Sequence, residues 1–146
     1  MTTTPSVGPI VVGFDGSPPS VAALRWSAAQ AVLQQLELHI VVAWNVPNML
    51  GWPVPLPEGF DPSEPAQAVL ANAEATLDED YPGLTVKTHQ EEGFAGRCLV
   101  STTEALGASL LVVGARGHGE VTGLLIGSVS EYVATHAKCP VVIVHQ

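Results

Sequence analysis

Basic side chains are scarce in this sequence. Five lysine and arginine residues stand against 14 aspartate and glutamate residues, for a formal charge of −9. Arg25, Arg97, Arg116, Lys87 and Lys138 are scattered along the chain rather than gathered on one segment. Nucleic-acid binding rests on a basic face that neutralises phosphates, so the composition argues against DNA and RNA as partners, and against anionic membrane surfaces. Cysteine is sparse as well. Cys98 and Cys139 form no CxxC pair and keep no metal-ligand spacing with a histidine, which reads as two reduced thiols in a cytoplasmic protein. No apolar run is long enough to cross a bilayer. The opening MTTTPSVG has neither a basic nor an apolar signal region, and residues 1–8 read as a short disordered lead.

What is present is a folding pattern. Apolar residues make up 47% of the 146 and charged residues 13%, a balance that suits one folded domain over residues 9–146. PIVVGF reads as a first strand. Ser17-Pro18-Pro19 is a helix start, because serine caps and proline tolerates the first turn. Val21, Leu24, Ala28, Ala31 and Val32 then recur at helical spacing through Gln35. LELHIVVAW is a second strand. The segment from Pro47 to Pro65, rich in proline and tryptophan, is long for a connection and reads as a surface flap or partner site. A helix is expected over Glu64–Asp80, and LTVKTHQEEG gives a third strand, at an edge. A helix follows from Phe94 to Leu106, closed by Gly107. SLLVVGA is a fourth strand, apolar throughout and so central. Ser128–Lys138 is a last helix stopped by Pro140, and CPVVIVHQ is a fifth strand.

Strands alternating with helices predict an α/β domain: an open parallel sheet with helices on both faces. Ligands of such sheets bind beyond the carboxyl ends of the strands, where the strand order reverses. If the second and third strands extend on one side of the first and the fourth and fifth on the other, the crevice lies between the first and fourth. The loops there are the unusual ones, GFDGS and GARGHGEVTGLLIGS.

The second loop is dense in glycine and holds no lysine. Glycine lets backbone approach a neighbour closely. Gly127-Ser128 opens a helix, whose first N–H groups and positive dipole end favour an anion. Phosphates cradled by amides are the candidate ligand. Gly119 and Gly123 also suit plain turns, and Ser128-x-x-Glu131 also reads as a capping box that needs no ligand. Asp15 reads either as a turn residue or as an acceptor for sugar or base, or a Mg²⁺ partner. Arg116 is the cation of the loop, and His118 an exposed imidazole beside it. The P-loop pattern fails, since Gly123-Leu-Leu-Ile-Gly127-Ser128 is one residue short and lacks lysine; GFDGSPPS does not fit the dinucleotide fingerprint. The sequence offers no Ser/His/Asp or Cys/His arrangement and no histidine pair at metal-ligand spacing.

Gly114-x2-Gly117-x9-Gly127-Ser128, IVVGFDGS and CPVVIV together resemble the universal stress proteins, over about Pro9–His145. The first of these has the spacing of that family's ATP-binding signature. The resemblance implies a five-stranded parallel sheet of order 3-2-1-4-5, adenine nucleotide alpha hydrolase-like. It implies ATP as ligand, with Mg²⁺ riding on the phosphates, and a nucleotide-dependent stress or regulatory role with slow hydrolysis at most. It also implies a homodimer through the last strand, residues 141–145. Gly13, Asp15, Ala43, Val113 and Gly114 would line the nucleoside. Gly117, Gly127, Ser128, Val129 and Ser130 would hold phosphates, with Arg116 a further partner. The alternative is an interaction module whose flap at 47–65 binds another protein.

Overall fold

The computed structural model describes residues 7–46, 48–117 and 126–146. Its main sheet contains β1 (Ile10–Gly13), β2 (Leu38–Trp44), β5 (Val86–Glu92), β6 (Leu110–Gly114) and β7 (Val141–Val144), all parallel, in the order β5-β2-β1-β6-β7. Counting these five alone, the order is the expected 3-2-1-4-5. Between β2 and the next helix, β3 (Asn48–Met49) and β4 (Trp52–Pro53) form a small antiparallel hairpin. The helices are α1 (Pro18–Gln34), α2 (Glu64–Asp80), α3 (Ala95–Leu106) and α4 (Ser128–His136).

The two-residue period of the strands sorts the core into two layers. Ile10, Val12, Leu38, Ile40, Val42 and Val112 face α1 and α2. Val11, Val41, Leu111 and Val113 face the other way, onto Leu99 of α3 and Val133 of α4. Strands buried on both faces read as continuous apolar runs, and β1 and β6 do so in the sequence. The two edges differ: β5 carries Lys87, Glu91 and Glu92, whereas β7 is Val-Val-Ile-Val.

Local signals place the helix ends. The Ser17 hydroxyl accepts from the Ser20 N–H at the head of α1, with prolines in the first turn. Gly107 ends α3 in the left-handed region at φ 61°. The helix expected to reach Lys138 stops at His136, because Ala137 is already extended three residues ahead of Pro140. The chain turns between β3 and β4 on Leu50 and Gly51, both at positive φ, which is the hairpin twist normally given to Asn-Gly. Most of the lead expected over residues 1–8, as well as His118, Gly119 and Gly123, lies outside the described residues. Gly8 is described, and a side chain there would run into the Gly107 carbonyl.

Candidate functional site

β1 pairs with β2 on one side and β6 on the other, so the strand order reverses beside it. At the carboxyl ends of these strands lies a cleft of about 190 Å³. Gly13, Asp15, Ala43, Val113, Gly114, Arg116, Gly117, Ser128, Val129 and Ser130 all line it. The remaining residue singled out in the sequence, Gly127, caps α4 from just outside that wall.

The loop after β1 is held by its own polar groups. One carboxylate oxygen of Asp15 accepts from the Ser17 N–H at 2.9 Å and from its hydroxyl at 2.5 Å. The Asp15 N–H donates to the Ser20 hydroxyl, which donates in turn to the Ser17 carbonyl. These bonds fix Asp15 at the cleft and start α1 in one stroke.

The loop after β6 is held by missing side chains. A Cβ on Gly114 would stand 2.7 Å from the carbonyl carbon of Pro19, in the first turn of α1. A Cβ on Gly117 would run into the Asp15 carboxylate. Neither clash can be relieved by a flexible tip swinging aside, since one involves backbone and the other a pinned carboxylate. A Cβ on Gly13 would meet Leu99 Cδ1 at 2.9 Å. So Gly114 and Gly117, which suggested close approach of a ligand, are in the first instance demanded by close approach of the chain to itself.

Hydrogen bonds join the end of β6 to the start of α4. The Gly127 N–H donates to the Ala115 carbonyl at 2.6 Å, and the Ala115 N–H donates to Val144 of β7. The buried Ser130 hydroxyl donates to the Gly114 carbonyl at 2.6 Å, with the Ala115 carbonyl at 3.2 Å. Ser130 thereby ties the first turn of α4 to the end of β6. The capping box read at Ser128-x-x-Glu131 is not formed. Gly127 is the cap, Ser128 already lies in the first turn, and the Glu131 N–H bonds the Gly127 carbonyl. The capping reading placed the helix start one residue late.

Phe14, Ser20, Val41, Ala95 and Leu99 also line the cleft and were not singled out from the sequence. Val41 lies two residues before Ala43, so strand alternation puts the two on one face; that signal could have found it. Leu99 and Ala95 share a helix face one turn apart, yet nothing local points α3 at this cleft. The result is an apolar floor with a polar rim, in which Arg116 is exposed and is the only cation among the described lining residues. The beginnings of α1, α3 and α4 all reach this end of the sheet, bringing the positive ends of their dipoles. Such a cleft can take a flat apolar ring below and an anion at the rim.

Other reactive groups lie apart. The His39 Nδ1 stands 2.8 Å from the His89 Nε2, and its Nε2 stands 3.2 Å from Glu37, toward the opposite end of the strands. Burial, reinforced by His39 and opposed by Glu91, holds His89 below the usual imidazole range. Burial chiefly pushes the Cys98 and Cys139 thiols up, so neither is poised as a nucleophile. Among the described residues no group of three or more acidic, histidine or cysteine side chains is arranged to hold a metal. Among them no helix is long and apolar enough to cross a membrane.

The strand order defines a Rossmann-like α/β protein, with a cleft at the point where that order reverses. The model of the Universal stress protein family matches residues 7–145, and the chain belongs to that family. It is 33% identical over 145 residues to the universal stress protein Rv2623 of Mycobacterium tuberculosis, covering 97% of this chain and 46% of that one. The chain thus spans about half the length of this curated relative. A universal stress protein solved in complex with cAMP is 30% identical, covers 96% of this chain and 98% of its own, and superposes with a TM-score of 0.69. One from Archaeoglobus fulgidus in complex with dAMP is 20% identical, covers 94% of this chain and 97% of its own, and shares the fold with a TM-score of 0.69.

Proposed function

We propose that the cleft binds an adenine nucleotide, with ATP carried as its Mg²⁺ complex, and that occupancy regulates the protein rather than feeding a fast reaction. The observation that carries this reading is the convergence on one cleft of Asp15, Gly114–Gly117 and the first turn of α4, above a floor of Val41, Leu99 and Val113. The base fits the apolar floor, Asp15 and the Ala43 backbone face the nucleoside, and the phosphates meet Gly117 and the α4 amides, with Gly127, Ser128, Val129 and Ser130 around them. The solved relatives bound to cAMP and dAMP support the adenine class.

Charge decides how the phosphates are held. A triphosphate enters a protein of formal charge −9. Arg116 alone does not offset it, so Mg²⁺ supplies the missing charge when bound. Among the described residues no acidic cluster stands ready for the ion, so Mg²⁺ would be carried by the nucleotide rather than by a protein cage. Rapid hydrolysis asks for positioned cations and a group that orients water. Asp15 is the only carboxylate among the described lining residues, and one of its oxygens is already engaged by Ser17. Turnover is therefore slow at most. A cytoplasmic setting is part of the proposal, since free Cys98 and Cys139 suit a reducing compartment.

Isothermal titration with ATP, AMP and cAMP, each with and without Mg²⁺, tests the reading. The expected result is nanomolar-to-micromolar binding, with ATP weakened at least about tenfold when Mg²⁺ is chelated. No heat from any of the three at millimolar concentration overturns it.

The protein is also proposed to be a homodimer through β7, whose four apolar residues form an edge with no strand beyond it among the described residues. A second reading, protein capture by the flap, is favoured by one observation: Leu50 is 94% and Trp52 76% exposed on the β3–β4 hairpin. Deleting residues 47–62 separates the two, since partner capture is lost while nucleotide affinity persists.

A further inference from the structure

β5 is an outer strand of the sheet, and among the described strands β2 alone pairs with it. Few of its side chains reach inward. Of its seven residues only Val86 and His89 are half-buried; Lys87, Thr88, Gln90, Glu91 and Glu92 are exposed. Val86 packs into the core layer under α1 and α2. His89, three residues on, faces the other way, where it meets His39 of β2. His39 itself is only 7% exposed. On the α3 side of the sheet, then, the inward hold of β5 is one imidazole against another.

That hold has a limited proton count. The His39 Nδ1 and His89 Nε2 are 2.8 Å apart, the ring centres 5.1 Å apart and the ring planes 19° from parallel. So long a centre separation for so short a contact puts both nitrogens nearly on the line between the centres, edge to edge, as a hydrogen bond requires. The other nitrogen of His39, Nε2, lies 3.2 Å from the Glu37 carboxylate, which only accepts. His39 therefore carries a proton on Nε2. In the neutral pair its Nδ1 is bare and accepts from the His89 Nε2–H. One further proton is accommodated: His39 becomes the donor through Nδ1–H, His89 keeps its single proton on Nδ1, and Glu37 offsets the charge. A second leaves Nδ1–H facing Nε2–H, two cations with no acceptor between them, and the contact has to open.

The surrounding charges do not relieve this. On the same face of β5, Lys87 stands opposite His39 and Glu91 opposite Ala43. β1, on the far side of β2, has no ionisable residue. α3, which packs on both β2 and β5, has Arg97, Cys98 and Glu104, and Glu104 pairs with Lys138. Lysine, arginine and carboxylates all keep their charge between about pH 7.5 and about pH 5.5, so the imidazoles are what titrates there. We propose that the His39–His89 pair is an acid-sensitive clasp on β5, which holds the edge strand to β2 with no added proton or with one and releases it when both rings are charged. Burial first, then His39, hold His89 below the usual imidazole range against the pull of Glu91. The unfolded chain accordingly takes up this proton first as pH falls. The clasp contributes fully above the ordinary imidazole value and is lost as pH drops from there through the lowered one. It goes beyond the nucleotide reading and does not depend on it.

Amide hydrogen exchange of the full chain, followed by NMR at about pH 7.5 and about pH 5.5, tests it. The wild type is compared with His89→Gln, whose side-chain N–H donates to the His39 Nδ1 but takes up no proton. After correction for intrinsic exchange rates, protection of the β5 amides falls at least about tenfold relative to β1 and β6 in the wild type, and stays within about twofold in His89→Gln. Equal losses in both proteins, or no loss in the wild type, overturn the clasp. Imidazole nitrogen spectra of the wild type give a second readout that needs no variant. At the higher pH both His39 and His89 carry their proton on Nε2, and as pH falls the pair protonates in two separated steps. Two rings that titrate independently, each at the ordinary imidazole value, overturn it. Should His89→Gln fail to fold, those spectra decide.

Discussion

Two helices of this protein begin in the same way. Asp15-Gly16-Ser17 precedes α1, and Asp61-Pro62-Ser63 precedes α2. In both, one aspartate oxygen accepts from the N–H and the hydroxyl of the serine two residues on: 2.9 and 2.5 Å at Asp15, 2.9 and 2.7 Å at Asp61. The aspartate of the second copy is exposed and lies away from the cleft. The motif is therefore a way of starting a helix and is not in itself a binding feature. What differs at α1 is the surroundings. Ser17 goes on to cap the helix, whereas Ser63 makes no side-chain cap bond. Asp15 lies against Gly117 and at the mouth of the cleft, where nothing corresponds for Asp61.

That contrast can be sharpened by substitution. The largest effect is expected at Asp15→Ala, which removes a cleft acceptor and loosens the start of α1: nucleotide affinity falls more than about a hundredfold by calorimetry, and Tm falls too. Next is Gly114→Ala, which forces a methyl against the Pro19 backbone and costs about 2–3 kcal/mol, lowering Tm by roughly 6–10 °C in a thermal melt. Gly117→Ala is smaller in stability, about 1 kcal/mol, because its methyl meets one carboxylate rather than backbone. It still displaces Asp15, so affinity drops about tenfold. Asp61→Ala, the matched control, leaves nucleotide affinity unchanged and Tm nearly so. The Ser63 hydroxyl and then its N–H hold the Asp61 carboxyl below the ordinary carboxylate range. Its small stabilisation is accordingly present above the ordinary carboxyl pKa and fades as pH falls through the lowered one. NMR titration of the Asp61 carboxyl shows a midpoint below the usual value in the wild type, and one raised part of the way back in Ser63→Ala, which keeps the N–H donor.

Much of this was legible in the sequence. α2 runs from Glu64 to Asp80 as the pattern predicts, and the apolar runs of β1 and β6 announce central strands. Proline and glycine mark where helices start and stop by fixing or freeing φ, so those boundaries are local and readable. The β3–β4 hairpin was not legible, because Leu50 takes a left-handed conformation that turn chemistry reserves for glycine or asparagine. Nor was the purpose of Gly114 and Gly117. A dense run of glycine says that something comes close; only the fold says that it is Pro19 and Asp15. Leu99 escaped for the same reason, since its place in the cleft depends on how α3 packs across the sheet.

The central claim is that nucleotide phosphates sit at the head of α4 and nowhere else that resembles it. Amide chemical shifts measured during titration with Mg²⁺-ATP test this most directly. The expected result is large shifts at Gly117, Ser128, Val129 and Ser130 that saturate together, with Ser63, Glu64 and Gln67 at the head of α2 unmoved. Shifts of equal size at both helix starts, or none at either, would contradict it.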